Sequence, residues 1–262
     1  MRVISLINGS LISETAALYA LYYAKLLNFP ITFIHIESKD SLEEVNLSVN
    51  NLSLEAKFLG VENNFLVLKK VSQLKDFVKN KEVDIIFSST RHNHSILDKS
   101  FVDKIISLKL KTDLAVLKIV KLGNIKIDNI ILPIRETRLS VKKFALATIF
   151  SLAYKSKLEI YSLDKLSTKK IANLTKEDRK KRLQEVLFDL KHYIKLLKLN
   201  NIHFSIKHDF SSSEGKKVTT HIAKNGYDLA IVGAHTDFIF KHPIDILFKN
   251  PMINTLYFIP KD

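Results

Sequence analysis

Short apolar runs alternate with amphipathic stretches along the chain. In the first half, β-branched apolar runs predict strands at residues 3–7, 31–36, 65–68, 84–88 and 114–120. Four helical stretches lie between them, and the first begins near Ser13 and carries small residues on one face. This alternation is typical of βαβ units that build a parallel sheet.

The second half repeats the same order of elements. Its predicted strands are at residues 130–134, 158–163, 202–206, 228–233 and 255–259, and its predicted helices are at 140–154, 175–199, 215–224 and 244–248. Asn8 matches Arg135 and Ser13 matches Ser140 at one common offset. The chain is therefore predicted to be a tandem repeat of two doubly wound α/β domains, residues 1–122 and 123–262, each with a five-stranded, mostly parallel sheet flanked by helices.

The predicted helix at 175–199 is the longest in the second half. Thr175 and Asp178 resemble a capping box at its start. Apolar residues then recur at intervals of three and four, and this stripe should pack on the sheet. Its members are Leu183, Val186, Leu187, Leu190, Ile194 and Leu197.

Composition narrows the class of protein. With 46% hydrophobic residues, the chain has the makeup of a packed globular protein, and its 0 cysteines exclude disulfide and zinc-ribbon frameworks. The first ten residues are too short a run for a secretory leader, and polar residues interrupt every apolar stretch before the roughly 18 residues that span a bilayer. A cytoplasmic protein with no transmembrane segment is expected.

Charge is concentrated in the second half. The formal net charge is +14, of which residues 1–122 contribute +3 and the remainder +11. At about 100° per residue, five lysines share one flank of the predicted helix at 175–199. They are Lys180, Lys181, Lys191, Lys195 and Lys198. The flank is either a solvated surface or a site for a polyanion such as RNA, an acidic protein or a membrane surface, and without interleaved aromatic residues any nucleic-acid contact would be to the backbone.

Several segments resemble universal stress proteins. Residues 6–10 (LINGS), 20–25 (ALYYAK) and 31–36 (ITFIHI) are similar to the opening of that family. Residues 84–91 (DIIFSSTR) and 227–235 (YDLAIVGAH) each resemble its fourth strand, which leads into a phosphate-binding loop. The resemblance covers nearly the whole chain as two copies and implies a Rossmann-like fold of the adenine nucleotide alpha hydrolase type. It also implies pairing of the two halves, for which the fifth strands are the expected seam.

The ATP-binding pattern of that family, G-x2-G-x9-G-[ST], is degenerate in both copies. Glycines in this pattern let backbone amides approach phosphate oxygens. In the first copy the matching positions hold Ser89, His92, Val102 and Asp103, and in the second they hold Gly233, Thr236, Ile246 and Leu247. Ordinary ATP binding is therefore not expected in either half.

Other candidate residues lie near these loops. The acid that the family carries after its first strand is replaced by Asn8 and by Arg135. Asn8 and Ser10 still offer hydrogen bonds to a base or ribose, whereas Arg135 favours a bare anion or a neighbouring carboxylate. Arg91 and His92 in the first copy, and His235 in the second, complete the degenerate nucleotide pockets.

No catalytic or metal site emerges from the remaining residues. His92 and His94 form an H-x-H pair without a further ligand at a fixed spacing, so no metal is predicted. His203, His208 and His221 have no spacing to a serine or carboxylate that indicates a triad.

Three functions remain open. The first is a non-enzymatic stress-response or regulatory binding protein without a cofactor. The second is an ATP-binding protein with weak ATPase activity through the first domain, and the third is a polyanion-binding protein. For partners, the alternatives are a homodimer, an unidentified protein, and a nucleic acid or anionic surface, besides the intramolecular pair.

Overall fold

The computed structural model describes residues 1–37, 42–90, 101–123, 126–233 and 253–261. Over this part of the chain it contains ten strands and nine helices in an α/β arrangement. This part of the chain is divided into two compact units. Unit 1 takes residues 1–123 and 256–261, and unit 2 takes residues 126–233 and 253–255.

Unit 1 is a parallel sheet with helical crossovers. Its elements are β1 (Arg2–Ile7), α1 (Leu11–Leu27), β2 (Ile31–Ile36), α2 (Leu42–Leu59), β3 (Asn63–Leu68), α3 (Ser72–Asn80), β4 (Val83–Thr90), α4 (Phe101–Ser107) and β5 (Asp113–Lys118). The strand order is β3-β2-β1-β4-β5, and all four pairings are parallel.

The core of unit 1 follows from its apolar runs. All six residues of β2 are buried, as expected for a central strand covered on both faces. The small residues Ala16, Ala17, Ala20 and Ala24 of α1 are at most 1% exposed. The predicted close approach of this helix to the sheet is therefore confirmed.

Unit 2 repeats the plan with an insertion between its second and third strands. Its elements are β6 (Asn129–Arg135), α5 (Val141–Tyr154), β7 (Lys157–Lys165), α6 (Thr168–Ala172), α7 (Lys176–Asp189), α8 (Lys191–Leu199), β8 (Phe204–Ser211), α9 (Glu214–Asn225) and β9 (Leu229–Gly233). The strand order is β9-β6-β7-β8, again with parallel pairings.

A last strand, β10 (Asn254–Ile259), is fully buried, and its residues are divided between the two units. The predicted α/β fold class is confirmed. The predicted short helix at 244–248 lies outside the described residues, and the pairing of the halves through their fifth strands stays a prediction. Among the described helices, none combines the length and the apolarity that a membrane crossing requires.

The prediction of one long helix at 175–199 is wrong. The structure has two helices, α7 and α8, with Leu190 between them at φ −88° and ψ 5°. Leu190 is fully buried, so the break occurs at a core residue that anchors both helices. The predicted capping box is confirmed, because Thr175 and Asp178 satisfy each other's backbone N–H groups.

The apolar stripe of these helices is only partly buried. Val186, Leu190 and Leu197 are fully buried, whereas Leu187 is 38% exposed. The predicted stripe therefore contributes to the core at some of its positions and is exposed at others.

Candidate functional site

The predicted pocket residues lie at the carboxyl ends of the central strands. In unit 1 the strand order reverses between β1 and β4, and in unit 2 it reverses between β6 and β9. Ligands of doubly wound sheets bind in the crevice at such a reversal. Asn8 follows β1, Ser89 lies near the end of β4, and Arg135 and Gly233 end β6 and β9. Arg91, His92 and His235 lie outside the described residues.

Asn8 and Ser10 are hydrogen-bonded to each other. Asn8 Oδ1 accepts hydrogen bonds from the backbone N (3.2 Å) and Oγ (2.7 Å) of Ser10. Ser10 Oγ in turn accepts a bond from the backbone N of Ser13 and thereby caps α1. The Ser10 side chain thus satisfies one of the free N–H groups of the first turn of α1, that of Ser13.

Gly9 holds this loop against α2. Its φ is +80°, and a Cβ placed there would lie 2.8 Å from Val45 N and 2.9 Å from Glu44 C. Both atoms belong to backbone and cannot move aside as a side-chain end could. The glycine is thus required for close packing of the β1 loop on the first turn of α2.

Two further positions matched to the first pattern, Ser89 and Val102, lie in a strand and in a helix. Ser89 pairs in register with Leu117 of β5 and is half-buried. Val102, the residue matched to the third position of that pattern, is 5% exposed in α4 and contributes to the core.

Arg135 of unit 2 pairs with a carboxylate. Its Nε lies 3.1 Å from Oε1 of Glu214, the first residue of α9, which is only 6% exposed. Of the two partners that the sequence left open, a bare anion or a carboxylate, the chain itself supplies the carboxylate. Glu214 also lies at the N-terminus of α9, where its charge is favoured by the helix dipole.

Lys143 fills the same crevice, and sequence reasoning did not single it out. Its side chain lies along Gly233, with Cδ at 3.3 Å from the position of a Cβ on that glycine, and its Nζ donates to the carbonyl of Pro133 at 3.4 Å. Burial lowers the pKa of Lys143 to about 8. The space beside the one surviving glycine is therefore taken by a lysine stem.

A Ser-His-Asp arrangement exists in unit 2, although no sequence spacing revealed it. Ser162 Oγ donates to the carbonyl of Glu136 and so accepts from Nδ1 of His208 at 3.0 Å. The opposite ring nitrogen lies 3.6 Å from Asp164 Oδ2, and Arg182 binds that carboxylate through two nitrogens at 2.7 and 3.2 Å. Ser162 is 0% exposed and its hydrogen points to a carbonyl, so it is not a nucleophile.

A second polar cluster lies at the amino ends of the unit 2 strands. Glu159 of β7 is 6% exposed and accepts from Tyr227 and His221 through one oxygen and from Lys207 (2.9 Å) and Ser205 (3.2 Å) through the other. It borders a cavity of about 320 Å³. Because the chain supplies all four of these donors, the carboxylate is satisfied without a ligand, and the cluster ties α9 to β7 and β8.

The ionised form of Glu159 is favoured. Burial by itself would raise the pKa of this carboxyl, but the hydrogen bonds from Lys207, Tyr227 and His221 outweigh it and hold the pKa below its usual value. The described residues contain no group of three metal-ligating side chains that could hold a metal ion. His92 and His94 are not among those residues.

The five predicted basic residues fall on two different helices. Lys180 and Lys181 lie on α7, which also carries Glu177, Asp178, Glu185 and Asp189. Lys191, Lys195 and Lys198 lie on α8, which has no acidic residue. All five lysines are exposed, but only the three on α8, named here the α8 basic patch, form a surface without countercharge on their own helix.

The expectation that no aromatic residue interleaves with these lysines is wrong. Phe188 is 66% exposed, and Nζ of Lys191 lies 4.3 Å from the centroid of its ring. A cation over an aromatic face is a favourable contact. The α8 basic patch therefore has an aromatic side chain at its edge.

Comparison with known proteins identifies the fold. No protein-family model and no curated protein matches the chain. A universal stress protein from Archaeoglobus fulgidus DSM 4304 is similar in structure with a TM-score of 0.63, at 11% identity over 100% of this chain and 97% of its own. For a putative universal stress protein from Pseudomonas aeruginosa UCBPP-PA14, the TM-score is 0.65, at 10% identity over 100% and 94%.

The cytoplasmic domain of a prokaryotic cation chloride cotransporter is also similar, with a TM-score of 0.58 and 10% identity over 99% of this chain and 95% of that domain. At these identities the likeness shows the fold alone. The chain has the fold of universal stress proteins.

Proposed function

We propose that this protein is a non-enzymatic regulatory or stress-response binding protein of the universal stress protein type, acting in the cytoplasm, whose two pockets do not hold ATP in the usual way. The fold of its structural neighbours supports the type. The observation that carries the proposal is that polar groups at both crevices are committed to bonds within the chain. Asn8 hydrogen-bonds to Ser10, Arg135 forms an ion pair with Glu214, and Nζ of Lys143 donates to the carbonyl of Pro133.

A triphosphate would have to break these contacts. The buried carboxylate of Glu214 would be left without its cation, which costs more than an exposed ion pair does. In unit 1, a ligand that took Asn8 Oδ1 would leave the backbone N of Ser10 without its acceptor. A triphosphate could therefore bind in either crevice only at the expense of these internal contacts.

Nucleotide content is the direct test. We expect protein purified without added nucleotide to release less than about 0.1 equivalents of ATP or ADP on denaturation, and calorimetric titration to give an ATP Kd weaker than about 1 mM, an affinity of only about 4 kcal/mol. The Glu214→Ala variant, which releases the Arg135 cation from its carboxylate, tests internal competition and should bind ATP more tightly than the wild type does. Near-stoichiometric nucleotide in the wild type would replace this proposal by the ATP-binding alternative with weak ATPase activity.

A second candidate function, binding of a polyanion, is favoured by the α8 basic patch. Lys191, Lys195 and Lys198 are exposed on a helix without acids, and Phe188 offers a ring face beside Lys191. Contacts to a nucleic-acid backbone release counterions, so binding through such a patch is strongest at low salt.

Charge-reversal variants distinguish a binding role of α8 from one of α7. In about 50 mM salt we expect the Lys191→Glu, Lys195→Glu, Lys198→Glu triple variant to lose at least about 100-fold in affinity for a single-stranded RNA homopolymer, since three phosphate contacts become repulsive. The double variant Lys180→Glu, Lys181→Glu on the mixed-charge helix α7 is the matched control and should lose less than about tenfold. Fluorescence anisotropy measures both, and equal losses, or no wild-type binding, would refute a role for α8.

A further inference from the structure

Helix α2 of unit 1 carries a row of exposed apolar side chains. Leu47 is 64% exposed, Leu54 is 69% exposed and Phe58 is 84% exposed. Single exposed apolar residues are common on protein surfaces, but several large apolar side chains on one face of a helix indicate a contact surface.

These three residues face one direction. At about 100° per residue, they lie within about 40° of one line along the helix, opposite the buried side chains of Val45 and Leu52. Exposed polar residues complete the row. They are Glu43, Asn50 and Asn51.

The row is symmetric about the middle of the helix. Because α2 runs from Leu42 to Leu59, its midpoint falls between Asn50 and Asn51. Reversing the helix about this point exchanges Leu47 with Leu54 and Glu43 with Phe58. A second copy of α2, laid antiparallel on the first, would therefore place every member of the row against another member of the row. Such self-complementarity is what a two-fold interface requires.

The charges of α2 fit a second copy better than an anionic partner. Glu43 and Lys57 lie on the same flank of the row, so in the antiparallel pair each Glu43 approaches Lys57 of the partner subunit, and this contact occurs twice. The helix carries three acids, Glu43, Glu44 and Glu55, against one lysine. A helix with a net negative charge repels RNA and anionic lipid. Two antiparallel copies of it, in contrast, bring a glutamate and a lysine together at each end.

We propose that two copies of this protein associate through α2, antiparallel and about a two-fold axis near Asn50 and Asn51, with Leu47 of each copy against Leu54 of the other. This surface consists of residues of α2 and shares none with the residues described for the crevices or for the α8 basic patch. The proposal does not rest on the proposed function.

Single cysteines test the geometry directly, because the natural chain has 0 cysteines. Asn51→Cys places the thiol beside the axis, where it meets its own symmetry mate, so mild oxidation at about 20 μM protein should convert most of the protein to a disulfide-linked dimer, visible on a non-reducing gel. Asn46→Cys is the matched control, since it changes the same residue type on the same helix but points away from the axis. It should remain largely monomeric, and equal cross-linking of the two variants would overturn the proposal.

Sedimentation velocity tests the energetics. Leu54→Lys changes two symmetric contacts in each dimer and should weaken association at least about 100-fold. Glu43→Lys and Lys57→Glu should each weaken it, because each creates like-charge pairs, and combining them in one chain should restore it to within about threefold of the wild type. A wild type that is monomeric at about 100 μM, or a dimer that persists in Leu54→Lys, would overturn the proposal, and an α2 surface that binds an unrelated protein without self-association would also do so.

Discussion

Replacing Glu159 by alanine is expected to lower the free energy of unfolding by about 3 to 5 kcal/mol, the range for breaking a buried charge network by removal of one partner. Tyr227 and His221, whose OH and Nε2 lie 2.9 Å apart, would be left with only each other, and Ser205 and Lys207 of β8 would lose the acceptor that Glu159 provides. Urea unfolding followed by circular dichroism at pH 7 measures the change.

Glu185→Ala is the matched control for this prediction. Glu185 is also a glutamate in an ion pair, but its side chain is 47% exposed, and its partner Arg182 keeps the bidentate contact to Asp164. We expect a change within about 0.5 kcal/mol. If the two variants were equally destabilised, the Glu159 cluster would not be a particular source of stability.

The effect of Glu159→Ala should depend on pH. The pKa of Glu159 is held below its ordinary value of 4.5, so the folded state binds this proton less readily than the unfolded state does. The resulting stabilisation is complete above the unfolded pKa and is lost as the pH falls through the folded pKa. The difference in the free energy of unfolding between the wild type and Glu159→Ala should therefore become smaller once the pH falls below 4.5.

Gly9→Ala is expected to cost about 3 kcal/mol or more, because the new Cβ meets backbone at 2.8 and 2.9 Å and the residue must also keep φ at +80°. Either the β1 loop or the first turn of α2 has to shift. Chemical denaturation of the purified variant would show this as a lower midpoint.

Gly60→Ala separates the steric clash of the new Cβ from the strain of the positive φ. Gly60 also has positive φ, +71°, but a Cβ there meets nothing within 4 Å. The substitution should cost only the left-handed backbone strain, about 1 to 2 kcal/mol. A Gly9→Ala variant as stable as Gly60→Ala would mean that the loop moves freely away from α2.

The strands that are buried along their whole length were predicted well because each is a continuous apolar run in the sequence. β2, for example, is buried along its whole length and has the predicted bounds. The break at Leu190 was not predictable, since the apolar spacing of three and four continues across it and Leu190 is itself a core residue. Local periodicity indicates which face of a helix is apolar but not where one helix ends and the next begins.

The site residues were predictable only where the contacts are local. The cap signal at Thr175 involves neighbours in sequence, and it was found. Ser162 and His208 are register partners on β7 and β8, yet the predicted third strand of the second half ended at residue 206, so His208 was not placed on a strand. Lys143 reaches Gly233 across 90 positions of sequence, and its burial depends on how β6 and β9 meet α5.

Gly9 connects two regions of unit 1 by backbone alone. The loop after β1, which faces the crevice, touches α2 at Glu44 and Val45, directly beside Glu43 at the end of the exposed row. Because Gly9 lies this close to the backbone of α2, a displacement of the loop toward the helix would have to displace its first turn as well. Occupancy of the crevice and self-association would then share one coupling free energy, and each would alter the affinity of the other by the same factor.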